Sequence, residues 1–274
     1  MNFLFFVYLI GVIIAVYQDV KRREIDNFLN LFLFFSGFAY FIFSTVGKTD
    51  SISMILAFCF FIVICAVLSF GLYSARAFAG GDAKLLFALS PLFFQLSFLY
   101  STFNLGLFIV LLFLSGAVYG LVFSSFFLIR DFDRIKKFLD IEFRKKVYLI
   151  TFCLIIIFFI LGFFFRAAFL FCILGIVFMI LFALARAVDA VSMMKKIKSI
   201  NLREGDWLMQ DIHVNGKIIK KTWEGLSEKE INFIKKHKKE VIIKDGLPYA
   251  FAFFIALVAY YFKDIILLWV FRFF

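Results

Sequence analysis

Phe78-Ala79-Gly80-Gly81-Asp82-Ala83-Lys84-Leu85-Leu86 sets a carboxylate and an ammonium at the mouth of a long apolar run. Ionisable groups at the edge of a hydrocarbon environment are costly, are usually partnered and mark function. Two glycines precede the acid, and a glycine pair lets another backbone approach closely. The expected partner lies in Val16-Tyr17-Gln18-Asp19-Val20-Lys21-Arg22-Arg23-Glu24-Ile25-Asp26-Asn27, where Asp19 follows the first apolar run.

The rest of the chain says what surrounds these acids. Of 274 residues, 64% are apolar and 46 are Phe. A soluble domain carries an apolar share of about 45–50%. Runs of ~18 residues or more, each long enough to cross a bilayer, recur along the chain. They do not alternate with period two, so a barrel is excluded, and a helix satisfies its own backbone hydrogen bonds. The expected fold is an all-α polytopic membrane protein of about eight transmembrane helices, with a small cytoplasmic α+β insert. The spans read as 2–18, 28–46, 52–74, 84–100, 104–129, 147–165, 167–189 and 247–271. Only Arg166 separates the sixth from the seventh, which leaves a kinked or re-entrant unit as the alternative there. The organisation expected is a transmembrane domain over 1–191 that carries both acids, a minidomain over 192–246 and a final span within 247–274.

The net charge is +11. The cations sit between the spans, so topology and lipid headgroups account for them and nucleic acid is not an expected partner. With the loop at Lys21–Arg23 inside, 26 of the 30 Lys and Arg fall on the cytoplasmic side. That places Asp19 and Asp82 at the cytoplasmic face of the plasma membrane and both termini outside. No cleavable secretory signal is expected, because the first positive charges follow the first apolar run. Cys59, Cys65, Cys153 and Cys172 lie inside apolar runs without a Cys-x-x-Cys pair, and His213 and His237 have no ligand-like spacing. No metal site is expected from them.

In the loop 130–146, Phe132, Ile135, Phe138, Leu139 and Phe143 recur at three- and four-residue steps. This predicts an amphipathic helix lying on the inner face of the membrane. The polar segment 192–246 predicts a ββαβ minidomain. Its strands are Trp207–Val214, Lys217–Trp223 and Glu240–Lys244, with an Asn215-Gly216 hairpin turn. Its helix opens at Ser227 with Glu230 completing a capping box. A domain of this size has a marginal core and is expected to dock on the membrane domain or the bilayer.

Two carboxylates that share one proton can activate water and protonate a scissile amide, because like charges held close drive their pKa values apart. Such a pair titrates as a unit. Asp82, at the start of the fourth span, is favoured as the ionised base by the helix dipole. Asp19, at the end of the first, is favoured as the acid. The blander alternatives are a helix N-cap for Asp82, charge balance for Asp19 and a snorkelling Lys84.

The two stretches resemble those of the GxGD aspartyl peptidases, in particular the type IV prepilin peptidase and archaeal preflagellin peptidase family. The family's Gly-x-Gly-Asp-x-Lys pattern corresponds to Ala79 through Lys84, with Ala79 where the family has its first glycine. Its first-aspartate motif corresponds to Asp19 through Asn27. Arg203 to Leu208 resembles a stretch found in archaeal members. The resemblance implies that Asp19 and Asp82 are the catalytic pair, with Gly80, Gly81 and Lys84 as the motif beside the substrate. It implies cleavage of short basic leaders from prepilin or preflagellin precursors. Glu24 and Asp26 either meet that leader or balance Lys21–Arg23. The bacterial branch often carries a cysteine-rich zinc loop and an N-methyltransferase activity. This sequence lacks that loop, so the resemblance implies the peptidase alone, without cofactor. The competing functions are a proton-coupled transporter, which would need acids deep within several spans, and an inactive assembly scaffold, for which Ala79 is the argument.

Overall fold

The computed structural model describes residues 2–48, 51–95, 97–142, 146–162, 166–214, 216–222, 225–238, 240–244 and 246–265. The chain divides into two compact units, Met1–Gly120 with Pro248–Phe274, and Leu121–Leu247.

The first unit is helical. Its elements are α1 (Asn2–Arg22), α2 (Asn27–Thr45), α3 (Ser51–Ser74), α4 (Gly80–Leu89), the first part of α5 (Phe98–Arg130) and α10 (Ala250–Tyr261). Among the described residues, four helices are long and apolar enough to cross a membrane: Phe3–Arg22, Asn27–Thr45, Ser51–Ser74 and Phe98–Arg130. Two shorter apolar helices, Tyr148–Gly162 and Ala250–Tyr261, accompany them. The long helices keep large side chains bare on one side, as Phe28, Phe43, Ile52 and Leu99 illustrate, while Leu33, Phe61, Phe108 and Leu112 turn inward. A bilayer is the environment in which such an apolar exterior is stable.

The expected span 84–100 has a different form. α4 is a ten-residue helix, followed by a 3-10 turn over Ser90–Phe93 with Pro91 near its start. Proline has no N–H for the helical ladder, which explains the change of structure there. Ser101 then accepts the Gln95 N–H at 2.8 Å and donates to the Ser97 carbonyl at 2.9 Å, tying down the entry to α5. α5 begins at Phe98, before the expected boundary, and runs for 33 residues. At 1.5 Å per residue that is roughly 50 Å, well beyond a hydrocarbon core of about 30 Å.

α4 is enclosed on most sides. Asp82, Ala83, Leu85, Leu86, Ala88 and Leu89 are all buried. A short helix that is apolar nearly all round belongs in a core, and α4 packs between α2 and α3 while α1 packs on α10 and α2. Rings fill the remaining space: Phe93 lies 4.5 Å from Phe108 and 5.2 Å from Tyr260 between ring centres.

The second unit holds the end of α5, α6 (Phe132–Glu142), α7 (Lys146–Gly162), α8 (Arg166–Val191) and the polar segment. Residues 163–165, at the expected boundary between spans six and seven, and Phe143 lie outside the described residues. α6 forms where its periodicity predicts, but its apolar face is turned onto α8. Ile135 is fully buried against Ala187 and Val188, with Phe138 and Leu139 packed alongside.

The polar segment contains β1 (Met194–Lys198), β2 (Trp207–Leu208), β3 (Ile212–Val214), β4 (Lys217–Ile219), α9 (Glu228–His237) and β5 (Glu240–Lys244). The expected first strand is two strands, and they belong to different sheets. β1, β5 and β2 form one antiparallel sheet in that order, while β3 and β4 form a separate hairpin. Asn215 of the expected turn, and Trp223 at the end of the expected second strand, lie outside the described residues. β1 is the element missing from the expected topology; three lysines in five residues mask its one inward Ile197. The capping box at Ser227 and Glu230 is present, with the Ser227 N–H donating to Glu230 Oε2 at 2.9 Å.

Two glycines of the first unit differ in what surrounds them. A Cβ at Gly37 would meet the Tyr8 hydroxyl and lie 2.6 Å from the Pro91 Cβ, whereas a Cβ at Gly71 would meet nothing within 4 Å. Gly37→Ala is expected to destabilise the protein by about 1–3 kcal/mol through overpacking. Gly71→Ala is expected to gain roughly 0.5–1 kcal/mol from chain entropy. Unfolding in detergent micelles, followed by circular dichroism, checks both signs.

Candidate active site

Asp19 sits in the last turn of α1 and is buried. Its Oδ2 accepts the backbone N–H of Ala250 at 3.0 Å, across 231 residues of chain. Ala250 is the first residue of α10. The leading N–H groups of a helix have no partner within it, so an acceptor there satisfies both groups. Arg23, within electrostatic reach of Asp19, closes α1 in the left-handed region at φ 60°, with its N–H on the Asp19 carbonyl at 2.9 Å. A helix commonly ends on one such residue.

Asp82 is equally buried, in the first turn of α4. It lies within electrostatic reach of Asp19 and has a backbone hydrogen bond at Ala79. Ala79, at the N-cap position, has φ −71° and ψ 163°. This is extended backbone open to any residue, so alanine in the place of the family's first glycine costs nothing in this conformation. Gly80 and Gly81 are not required by packing either. A Cβ on Gly80 would lie 3.8 Å from the Tyr73 ring, and one on Gly81 would lie 3.8 Å from Ile25, both ordinary contacts.

The two aspartate motifs are joined to each other. Lys84 Nζ donates to Asn27 Oδ1 at 2.9 Å. Ile25 is buried beside Gly81. Between them Asp26 is held by Gln18, which accepts the Asp26 N–H at 3.0 Å and donates to its Oδ2 at 2.7 Å. Asp26 therefore folds its loop back onto α1. Glu24 is exposed. Of the residues singled out by sequence, Asp19, Asp82, Gly80, Gly81 and Lys84 gather at the α1–α2 turn and the start of α4, and Asp26 has a structural partner.

Three residues of the site have no counterpart in the sequence reading. Ala250 supplies the N–H to Asp19. Tyr249, just before α10, lies within electrostatic reach of Asp82, and its ring packs 5.6 Å from that of Phe78 and against Gly116, where a Cβ would run into its hydroxyl. Tyr119 of α5 lies within electrostatic reach of Asp19. The available signal was Pro248 opening the last apolar run, level with Asp19 by the cation count. Among the described residues, no group of three His, Cys, Asp or Glu gathers as a metal-binding set.

Residues 6–129 match the family described as the type IV leader peptidase family. That stretch includes Asp19, Asp82 and the residues between the two motifs. The chain is also similar to a preflagellin peptidase of Methanococcus maripaludis (strain C6 / ATCC BAA-1332), with 29% identity over 125 residues, covering 43% of this chain and 53% of the relative. The chain thus spans about half the length of the curated relative it matches. No solved structure matches it. The family that the two aspartate motifs resemble is the family matched over residues 6–129. Ala250 and Tyr249 lie beyond that stretch.

The Lys84–Asn27 contact makes a measurable claim. Asn27→Ala and Lys84→Met are expected to be less than additive in a double-mutant cycle, with a coupling of roughly 0.5–1.5 kcal/mol. Chemical unfolding of the four proteins in the same detergent measures it.

Proposed function

We propose that the chain is a membrane aspartic endopeptidase that removes short basic leaders from prepilin- or preflagellin-type precursors at the cytoplasmic face. The observation that carries this reading is the buried pair Asp19 and Asp82, within electrostatic reach of each other inside the stretch that matches the leader peptidase family. In this reading the pair stands at the cytoplasmic ends of α1 and α4, with both termini outside, as the distribution of Lys and Arg supports. With the four long helices, α7, α8, α10 and the stretch formed by α4 and its 3-10 turn complete the eight crossings, that stretch as a broken helix. Residues 192–246 are the cytoplasmic minidomain.

Two carboxylates within electrostatic reach of each other in an apolar setting share one proton when substrate brings them to the same bond. Helix ends viewed one span at a time favour the charge on Asp82. The contact with Ala250 supports the opposite assignment. Asp19 terminates α1 but also caps the positive end of α10, and Arg23 adds a cation within reach. Lys84 is engaged with Asn27. Asp19 is then the ionised base and Asp82 the protonated acid. Asp19 takes a proton from a water, the water oxygen bonds to the scissile carbonyl carbon, and Asp82 gives its proton to the carbonyl oxygen. Collapse of the tetrahedral adduct breaks the C–N bond as the proton held by Asp19 passes to the leaving amine and one hydroxyl of the adduct returns a proton to Asp82, which restores the starting pair.

Gly80 and Gly81, which the packing does not require, offer a bare backbone beside which an extended leader can lie. Glu24 is the free-standing candidate for a leader cation; Asp26 is committed to Gln18. A transporter or an inactive scaffold has no comparable support: the match is to a peptidase family, and Ala79 sits without strain.

Asp19→Asn and Asp82→Asn are each expected to lower cleavage of a purified precursor in proteoliposomes by on the order of 10³-fold or more, with insertion and thermal stability kept. Cleavage at the wild-type rate by either variant would remove the pair from the mechanism.

A further inference from the structure

The sheet β1-β5-β2 has two faces of different character. Val241 and Ile243 of β5 are buried, together with Leu208 of β2, in a core completed by Ile231 and Ile234 of α9. Directly paired residues in an antiparallel sheet point to the same side, and neighbours along a strand point to opposite sides. The registers Met194↔Lys244, Lys196↔Ile242 and Trp207↔Lys244 therefore put Met194, Lys196, Trp207, Ile242 and Lys244 on the outer face. Met194 and Ile242 are exposed there, at 45% and 43%, and Trp207 is half-buried.

One contact orients this face. Lys244, on the outer side, binds both oxygens of Asp189, at 2.6 and 2.7 Å. Asp189 is in the last turn of α8, and β1 starts three residues after that helix ends. The outer face is thus turned toward the end of an apolar helix, while α9 covers the other. Lys196 pairs with Glu240 at 2.5 Å on the same face, and Lys198 lies beside them. Residues 192–246 carry thirteen Lys and Arg against eight Asp and Glu. The pattern is an apolar centre of Met194, Trp207 and Ile242 with lysines around it, on a domain of positive net charge.

We propose that this face is a membrane-docking surface, which lays Met194, Trp207 and Ile242 into the headgroup region of an anionic bilayer at the point where α8 leaves it. Apolar and aromatic side chains ringed by lysines suit that boundary, the aromatic and aliphatic groups burying area and the lysines meeting lipid phosphates. The Asp189–Lys244 pair fixes the approach, so the domain lies against the surface instead of hanging from two linkers. The proposal depends on α8 crossing the membrane and not on cleavage, and its test is independent of activity.

The test uses the full chain with Trp223 and Trp269 replaced by Phe, so that Trp207 is the one indole. It is reconstituted in nanodiscs of phosphatidylcholine with and without phosphatidylglycerol. Brominated lipid is expected to quench Trp207 several-fold more strongly than in an Ile242→Glu, Met194→Glu variant, with more quenching when phosphatidylglycerol is present. Both substituted positions are exposed, so the variant keeps its fold, checked by far-ultraviolet circular dichroism. Quenching by aqueous iodide and not by lipid would overturn the proposal. So would protection from both quenchers, which would mean that protein covers this face.

Discussion

Asp19 and the Ala250 N–H depend on each other. A carboxylate buried among apolar helices is stable when something of opposite polarity meets it, and the leading N–H groups of a helix need an acceptor outside their own helix. Their hydrogen bond joins the end of the first helix to the start of the last, and α1 packs along α10 beneath it. The contact fixes where the acid stands, and it ties the charge of Asp19 to the positive end of a second helix. An acid at a helix C-terminus alone would hold a negative charge less well.

The second aspartate is positioned by a different device. α4 is too short and too enclosed to hold a register by its own length. Ile25 and Asn27, two residues apart in the turn after Asp19, grip it at Gly81 and Lys84. The motif around Asp19 therefore works on Asp82 as well. The residues between the acids in sequence build the turn that brings the acids together. Within that frame Gly80 and Gly81 are open places and not steric necessities, which is the condition under which a peptide backbone can use them.

Much of this was legible in the sequence. The apolar runs, the cations between them and the two acids at run ends all follow from local composition, and the helix boundaries of α2 and α3 fall within a residue of those expected. What was hidden is long-range. The partner of Asp19 is a backbone N–H, which no side-chain pattern reveals. The span at 84–100 reads as continuous because its apolar content is continuous, and Pro91 alone signals the 3-10 turn. β1 was missed because three of its five residues are lysines at the end of a hydrophobic helix, where a basic cluster already had an explanation in topology. The apolar stripe of α6 was legible as a stripe. That α8 covers it was not, since amphipathicity specifies a buried face without naming the partner.

The dependence between Asp19 and α10 is tested most directly by the hydrogen exchange of one amide. The Ala250 N–H stands at the start of its helix, where no carbonyl of that helix can protect it. Measured by exchange and NMR in micelles, it is expected to be protected in the wild-type protein and to exchange far faster in Asp19→Ala, while amides in the middle of α10 keep their protection. An Ala250 amide that exchanges at the same rate in both proteins would contradict the account, because Asp19 would then not be the group that holds the last helix to the first.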